Sequence, residues 1–118
     1  MPKSSYAITS VLNVLLRATA YTTPTTVYLA LLNAGTETTG GSYARQAIVF
    51  AVPSAGSVAS STAQTFTSMP ATTVSQIGVY DALTAGNQLY LIAVTANKNT
   101  NVGDTVSVAA GAITISES

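Results

Sequence analysis

Four carboxylates (Glu37, Asp81, Asp104 and Glu117) and four cations (Lys3, Arg17, Arg45 and Lys98) are all the formal charge in this chain of 118 residues. His, Cys and Trp are absent. A Ser or Thr nucleophile needs a base in reach, and two lysines in polar flanks do not supply one. Glycoside hydrolysis needs two carboxylates across a cleft, one with a raised pKa. Here Glu37 and Glu117 read as residues of a loop and a tail. Without Cys there is no thiolate chemistry and no soft-metal site. Asp104 lies among Asn residues, but without the spacing of a calcium loop. Gly40, Gly41 and Gly103 read as turn glycines, not as a phosphate-cradling loop. The expectation is a protein that is not an enzyme and takes no cofactor and no metal.

Arg45 and Asp81 stand apart from the other charges. Each sits in an apolar segment, Tyr43-Ala44-Arg45-Gln46 and Ile77-Gly78-Val79-Tyr80-Asp81-Ala82. A lone Arg among apolar strands needs a partner, because an unpaired buried charge is costly. Arg45 and Asp81 are therefore expected to form a structural ion pair between two strands. Two alternatives stand beside it: Asp81 caps the turn that follows, or the pair serves an interface or binds a ligand.

The scarcity of charge bears on partners. Roughly a quarter to a third of a free domain's surface is normally charged, which four acids and four bases cannot supply. The net charge is zero, which favours association over dispersal. The chain reads first as part of an assembly, with Thr- and Ala-rich faces that can be buried between subunits without stranding charge. Two Lys and two Arg make no basic patch, so no nucleic-acid partner is expected.

These residues must be positioned by short elements. After Ser4-Ser5, a suitable N-cap, Ile8, Leu12, Leu15 and Leu16 recur at helical spacing, with Val11 and Val14 widening the face. That predicts an amphipathic helix of about three turns, ended by Thr22-Thr23-Pro24. Its apolar face either packs on its own sheet or meets a neighbouring subunit. The run is too short to span a bilayer, so no membrane partner is expected. It looks somewhat like a signal peptide, but Thr9, Ser10 and Asn13 interrupt it and Arg17 falls where a cleavage region is neutral.

After Pro24 the apolar period changes from helical to two. Val27–Leu32 reads as a central strand, residues 33–42 as a flexible loop, and Tyr43–Val52 as a strand with Ile48, Phe50 and Val52 on one face. Pro53 to Ser57 reads as a turn, and Ser61–Thr67 as a polar strand ended at Met69-Pro70. Thr73–Asp81 and Gln88–Thr95 read as strands joined by a turn at Ala85-Gly86-Asn87, with a polar loop over 97–101. Thr105–Val108 and Ala112–Ile115 are expected to form the last hairpin. About seven or eight strands at 8–12-residue spacing predict an antiparallel β-sandwich, jelly-roll or immunoglobulin-like, with one N-terminal amphipathic helix. The chain reads as one domain, residues 1–118, with a helical segment over 1–20 and the sandwich over 26–116.

Several segments carry a resemblance. They are Thr23-Pro24-Thr25-Thr26-Val27-Tyr28-Leu29-Ala30-Leu31, Gly41-Ser42-Tyr43-Ala44-Arg45-Gln46, Ile77-Gly78-Val79-Tyr80-Asp81-Ala82, Gly86-Asn87-Gln88-Leu89, Val102-Gly103-Asp104 and Ala109-Ala110-Gly111-Ala112-Ile113-Thr114-Ile115. In this order, over nearly the whole chain, they resemble small structural proteins of tailed bacteriophages, labelled capsid decoration (cement) or tail-fibre-like proteins. The resemblance implies a virion component, made in the host bacterial cytoplasm, that assembles as a homotrimer. The first expectation is a cement on the outer capsid surface, binding the major capsid protein and stabilising the shell by mass action. The alternative is a tail or tail-fibre component in host attachment, with Tyr28, Tyr43, Tyr80 and Tyr90 offering stacking faces to host sugars. The expected interface comprises Ile8, Val11, Leu12, Leu15 and Leu16 on the helix and Thr36, Thr38 and Thr39 in the following loop.

Overall fold

A computed structural model describes residues 3–21, 24 and 26–116. Its single helix, α1, spans Ser5–Arg17. The strands are β1 (Val27–Asn33), β2 (Thr36–Glu37), β3 (Gln46–Ile48), β4 (Ser57–Ala59), β5 (Gln64–Met69), β6 (Thr72–Tyr80), β7 (Gln88–Thr100), β8 (Asp104–Val108) and β9 (Thr114–Ser116). The fold is mainly β and every strand pairing is antiparallel.

One sheet runs β2-β1-β6-β7, with β3 also pairing with β1. Two ribbons, β4-β9 and β5-β8, complete the strand set. Leu29, Leu31, Ile48, Val74 and Val79 of the large sheet join Phe66, Met69, Val106, Val108, Ile113 and Ile115 of the ribbon segments in one buried cluster. The sheet and ribbons thus close on a common core, as in a sandwich. β1 is its centre: Leu29 to Leu32 are all buried, as a strand covered on both faces requires.

The last expected hairpin does not form. β8 pairs with β5, and β9 pairs with β4 across about half of the sequence. Two apolar alternating runs do pair, but each finds a distant partner whose face also needs covering. Residues expected as loops also join the ladders. β4 lies at the end of the expected turn over 53–57, and β7 continues through the polar run to Thr100, with a register irregularity opposite Ser75. Conversely, the strand expected to reach Val52 ends as β3 at Ile48. Phe50 makes only an isolated bridge to Ser60, and Val52 ahead of Pro53 is exposed.

The expected loop over 33–42 begins with a tight hairpin. β1 and β2 pair Leu32 with Glu37 and Asn33 with Thr36, so only Ala34 and Gly35 turn the chain, both at positive φ (49° and 85°). Ala55-Gly56 and Ala85-Gly86 repeat this pair of left-handed residues. Two consecutive residues at positive φ match the twist of the flanking strands in a two-residue hairpin.

α1 begins where the sequence predicts it. The Ser4 side chain accepts from the Ala7 amide at 3.1 Å and caps the first turn. The same hydroxyl donates to the Gln88 carbonyl, and the Ser4 amide donates to Leu89 O at 2.9 Å. One residue therefore both starts the helix and pins it to β7. The helix stops at Arg17, earlier than the expected Thr22-Thr23-Pro24, with Ala18 in the left-handed conformation as its C-cap. Thr22 and Thr23 of that expected stop lie outside the described residues.

Candidate functional site

The β1–β2 hairpin sets the position of the main polar cluster. By turning tightly it places Glu37 beside Leu32 and toward the segment entering β3, where Tyr43 and Arg45 sit. Arg45 Nη2 lies 2.9 Å from Glu37 Oε1, and Arg45 Nε donates to Glu37 Oε2 at 2.9 Å. This is the two-pronged geometry that suits guanidinium and carboxylate planes. Arg45 Nη1 donates to the carbonyls of Ala82 and Ala85 at 2.9 and 2.8 Å. Four of the five guanidinium hydrogens are thereby engaged.

Arg45 therefore pairs with Glu37, not with the expected Asp81. Asp81 instead accepts from the Asn87 amide at 2.7 Å and from Asn87 Nδ2 at 3.1 Å, closing the segment from Asp81 to Asn87. The two residues still cooperate, because Asp81 shapes the loop whose carbonyls Arg45 grips. Within that loop Gly86 sits at positive φ, and a Cβ there would lie 2.5 Å from Asp81 Oδ1.

Two tyrosines complete the cluster. The Tyr43 hydroxyl donates to Glu37 Oε2 at 2.8 Å and accepts from the Leu31 amide at 2.9 Å. Its ring stacks on Phe66 at 6.0 Å between centroids. The Arg45 guanidinium carbon lies 3.8 Å from the centre of the Tyr80 ring, a cation–π contact. Gly78 makes room for that ring: a Cβ would come 2.8 Å from Tyr80 Cε1 and 3.0 Å from Leu32 Cδ1. Tyr43 and Tyr80, two of the four expected sugar-stacking faces, are thus engaged within the protein.

The electrostatics are those of a locked pair. Burial pushes the Glu37 carboxyl up, but hydrogen bonds from Arg45 and Tyr43 outweigh it and hold the carboxyl below its ordinary value. The bond to Glu37 raises Arg45 against the opposing effect of burial. Burial, reinforced by the Glu37 bond, pushes the Tyr43 hydroxyl well above its usual range. A carboxylate so held is neither a proton donor at neutral pH nor a free base. An open hollow of about 440 Å³ lies alongside, lined by Glu37, Thr38, Thr39, Arg45, Leu83 and Thr84 among others. Its charged groups already hold one another.

Glu37 is the site residue that the sequence reading missed. Its signal was Gly35 two residues earlier, the mark of a tight turn that brings Glu37 back against β1. Of the three threonines expected at an interface, Thr36 and Thr39 are exposed, whereas Thr38 is buried and its hydroxyl finds no partner among the described residues. On the helix, Ala7 is the buried residue and Val11 is half-buried, whereas Ile8, Leu12, Leu15 and Leu16 are all exposed. The stripe that defined the helix in the sequence faces outward.

Among the described residues no group of three His, Cys, Asp or Glu side chains could hold a metal ion, and no helix is long and apolar enough to cross a membrane. Glu117 lies outside the described residues. No curated protein matches the chain. A family model described as podophage GP4 fiber I protein gp80 matches residues 2–116, nearly the whole chain and every element described above. The chain belongs to that family and is a structural protein of the bacteriophage virion.

Proposed function

We propose that this protein is a non-enzymatic building block of a phage tail fibre, present in several copies and serving host attachment. The observation that carries this reading is the match of a fibre-protein family over residues 2–116. The chemistry agrees with it, since the main polar cluster uses its charged groups to hold strands and a loop together. Three copies is the expected number, from the resemblance to small phage proteins. The other expectation, a cement bound to the major capsid protein on the outer shell, shares the virion setting but not the fibre family.

Copy number separates the two. Quantitative mass spectrometry of purified virions should find this chain far below the major capsid protein, and gold-labelled antibody should mark the tail. A content comparable with the capsid protein, with label spread over the head, would overturn the fibre reading. Host attachment has its own check: antibody against the protein should block adsorption to the host, and undiminished adsorption would remove that role.

A further inference from the structure

α1 carries an apolar arc wider than its own domain covers. At 100° per residue, Ala7, Val11 and Val14 lie on one side of the helix, and Ile8, Leu12, Leu15 and Leu16 lie roughly a third of a turn further round. The first side turns toward β7, where Ser4 pins the helix; Ala7 is buried there, Val11 is half-buried and Val14 at its end is 43% exposed. The second points away, with Ile8 38%, Leu12 50%, Leu15 73% and Leu16 77% exposed. A groove of about 370 Å³ runs beside this stripe, walled by Val11, Val14, Leu15, Tyr21, Leu89 and Tyr90 among others.

We infer that the outward stripe of Ile8, Leu12, Leu15 and Leu16 docks against the same stripe on a second copy of this chain. Area is the first argument. The stripe offers on the order of 400 Å² of apolar surface, within the range of the largest patch on a typical monomer, which is often a functional one. Two such stripes, with the groove walls beside them, come to roughly 1,000 Å², the size that a biological interface has to clear. Spacing is the second argument. Ile8, Leu12 and Leu15 stand at i, i+4 and i+7, the seam along which two helices interlock.

Charge is the third argument. A contact between identical faces sets like against like, so any charge on the face would meet its own sign. None of the four stripe residues is charged, and the helix's one ionic side chain, Arg17, is its last residue. A partner selected by electrostatic complementarity would find nothing on the stripe to read. The inference rests on the fibre reading only in that a fibre joins several copies.

The test is the solution mass of the full chain by light scattering over a range of concentrations. The wild type should run at a multiple of the chain mass. The double variant Leu12→Lys, Leu16→Lys should fall to a single chain with unchanged circular dichroism. Lysine is a good helix former and suits the C-terminal half of a helix. The chain has no Cys, so Leu15→Cys introduces its only thiol and gives a second readout should the lysine variant fail to fold. Mild oxidation should link copies rapidly through Cys at 15 and slowly through Cys at the exposed position of Val52. A wild type that stays a single chain, a lysine variant that keeps the wild-type mass, or equal linking at both positions would each overturn the inference, and the stripe would then belong to another virion protein. None of these outcomes depends on where the protein sits in the virion, so copy number and self-association fail separately.

Discussion

The polar cluster around Arg45 and the outer face of α1 reverse the usual distribution of charge and oil. Arg45 is 9% exposed and Leu16 is 77% exposed. Both are readable as economies of a subunit that works inside an assembly. Where the chain must hold itself together without Cys, it places a guanidinium at the meeting point of β2, the segment entering β3 and the loop after β6. On the outer face of α1, where we infer a contact between copies, it leaves the surface uncharged. A buried ion pair is weak evidence for net stability, since replacing it by oil is often neutral, whereas halving it is costly. The cluster's task is thus to fix three segments in one arrangement, while the helix face is free to change without cost to the fold.

Deleting the centre of the cluster should give the largest effect. Arg45→Ala strands the Glu37 carboxylate and the carbonyls of Ala82 and Ala85. Glu37 keeps 26% of its side chain in contact with solvent, so the loss should fall near the lower end of the range for a halved buried pair, about 3 kcal/mol. Urea unfolding of wild type and variant measures it. The lysine substitutions on α1, although they replace two large apolar residues, should leave the unfolding free energy of the isolated chain almost unchanged. Comparable losses in both regions would erase the contrast between them.

The pH dependence sharpens the same contrast. The folded Glu37 carboxyl lies below its ordinary value, so its contribution is complete above the unfolded value of about 4.3 and is lost as pH falls through the folded value. Melting temperatures of wild type and Glu37→Gln, followed from pH 7 down to strongly acid solution, should begin to converge below about pH 4.3 and meet once the pH lies below the folded value. The substitution alters no other carboxyl, so the difference isolates Glu37. Curves that stay parallel throughout would mean that the ionised pair contributes nothing to stability.

The sequence made the helix, the central strand and the β-class legible because each is written in a strong local pattern. Ser4 precedes an unbroken helical stripe, and Val27 to Leu32 is almost wholly apolar. Pairing was not legible, because β8 and β9 alternate equally well whether they face each other or reach back to β5 and β4. The tight hairpin at Ala34-Gly35 was hidden by its first residue. Two-residue turns of this kind are usually announced by Asn-Gly or Asp-Gly, and Ala pays a steric penalty at positive φ. Missing that turn left Glu37 in a loop and handed its place beside Arg45 to Asp81. The outward direction of Leu12 and Leu16 was illegible for a different reason: periodicity reports that a helix has an apolar face, not which part of a wide face the domain itself covers.

The smallest effect tests whether the cluster is as tightly specified at its margin as at its centre. Thr38 follows Glu37 directly, is 7% exposed, and buries a hydroxyl without a hydrogen-bond partner among the described residues. Its amide is satisfied by the Leu31 carbonyl at 2.9 Å, so the side chain can change without disturbing the backbone. Thr38→Val keeps the shape, replaces the hydroxyl with a methyl group and removes the cost of desolvating an unpaired oxygen. It should raise the unfolding free energy by about 0.5–1 kcal/mol, read as a higher urea midpoint at unchanged slope. A loss of stability would show that the hydroxyl is satisfied in solution, and that the polar cluster extends one residue beyond Glu37 into the wall of the hollow.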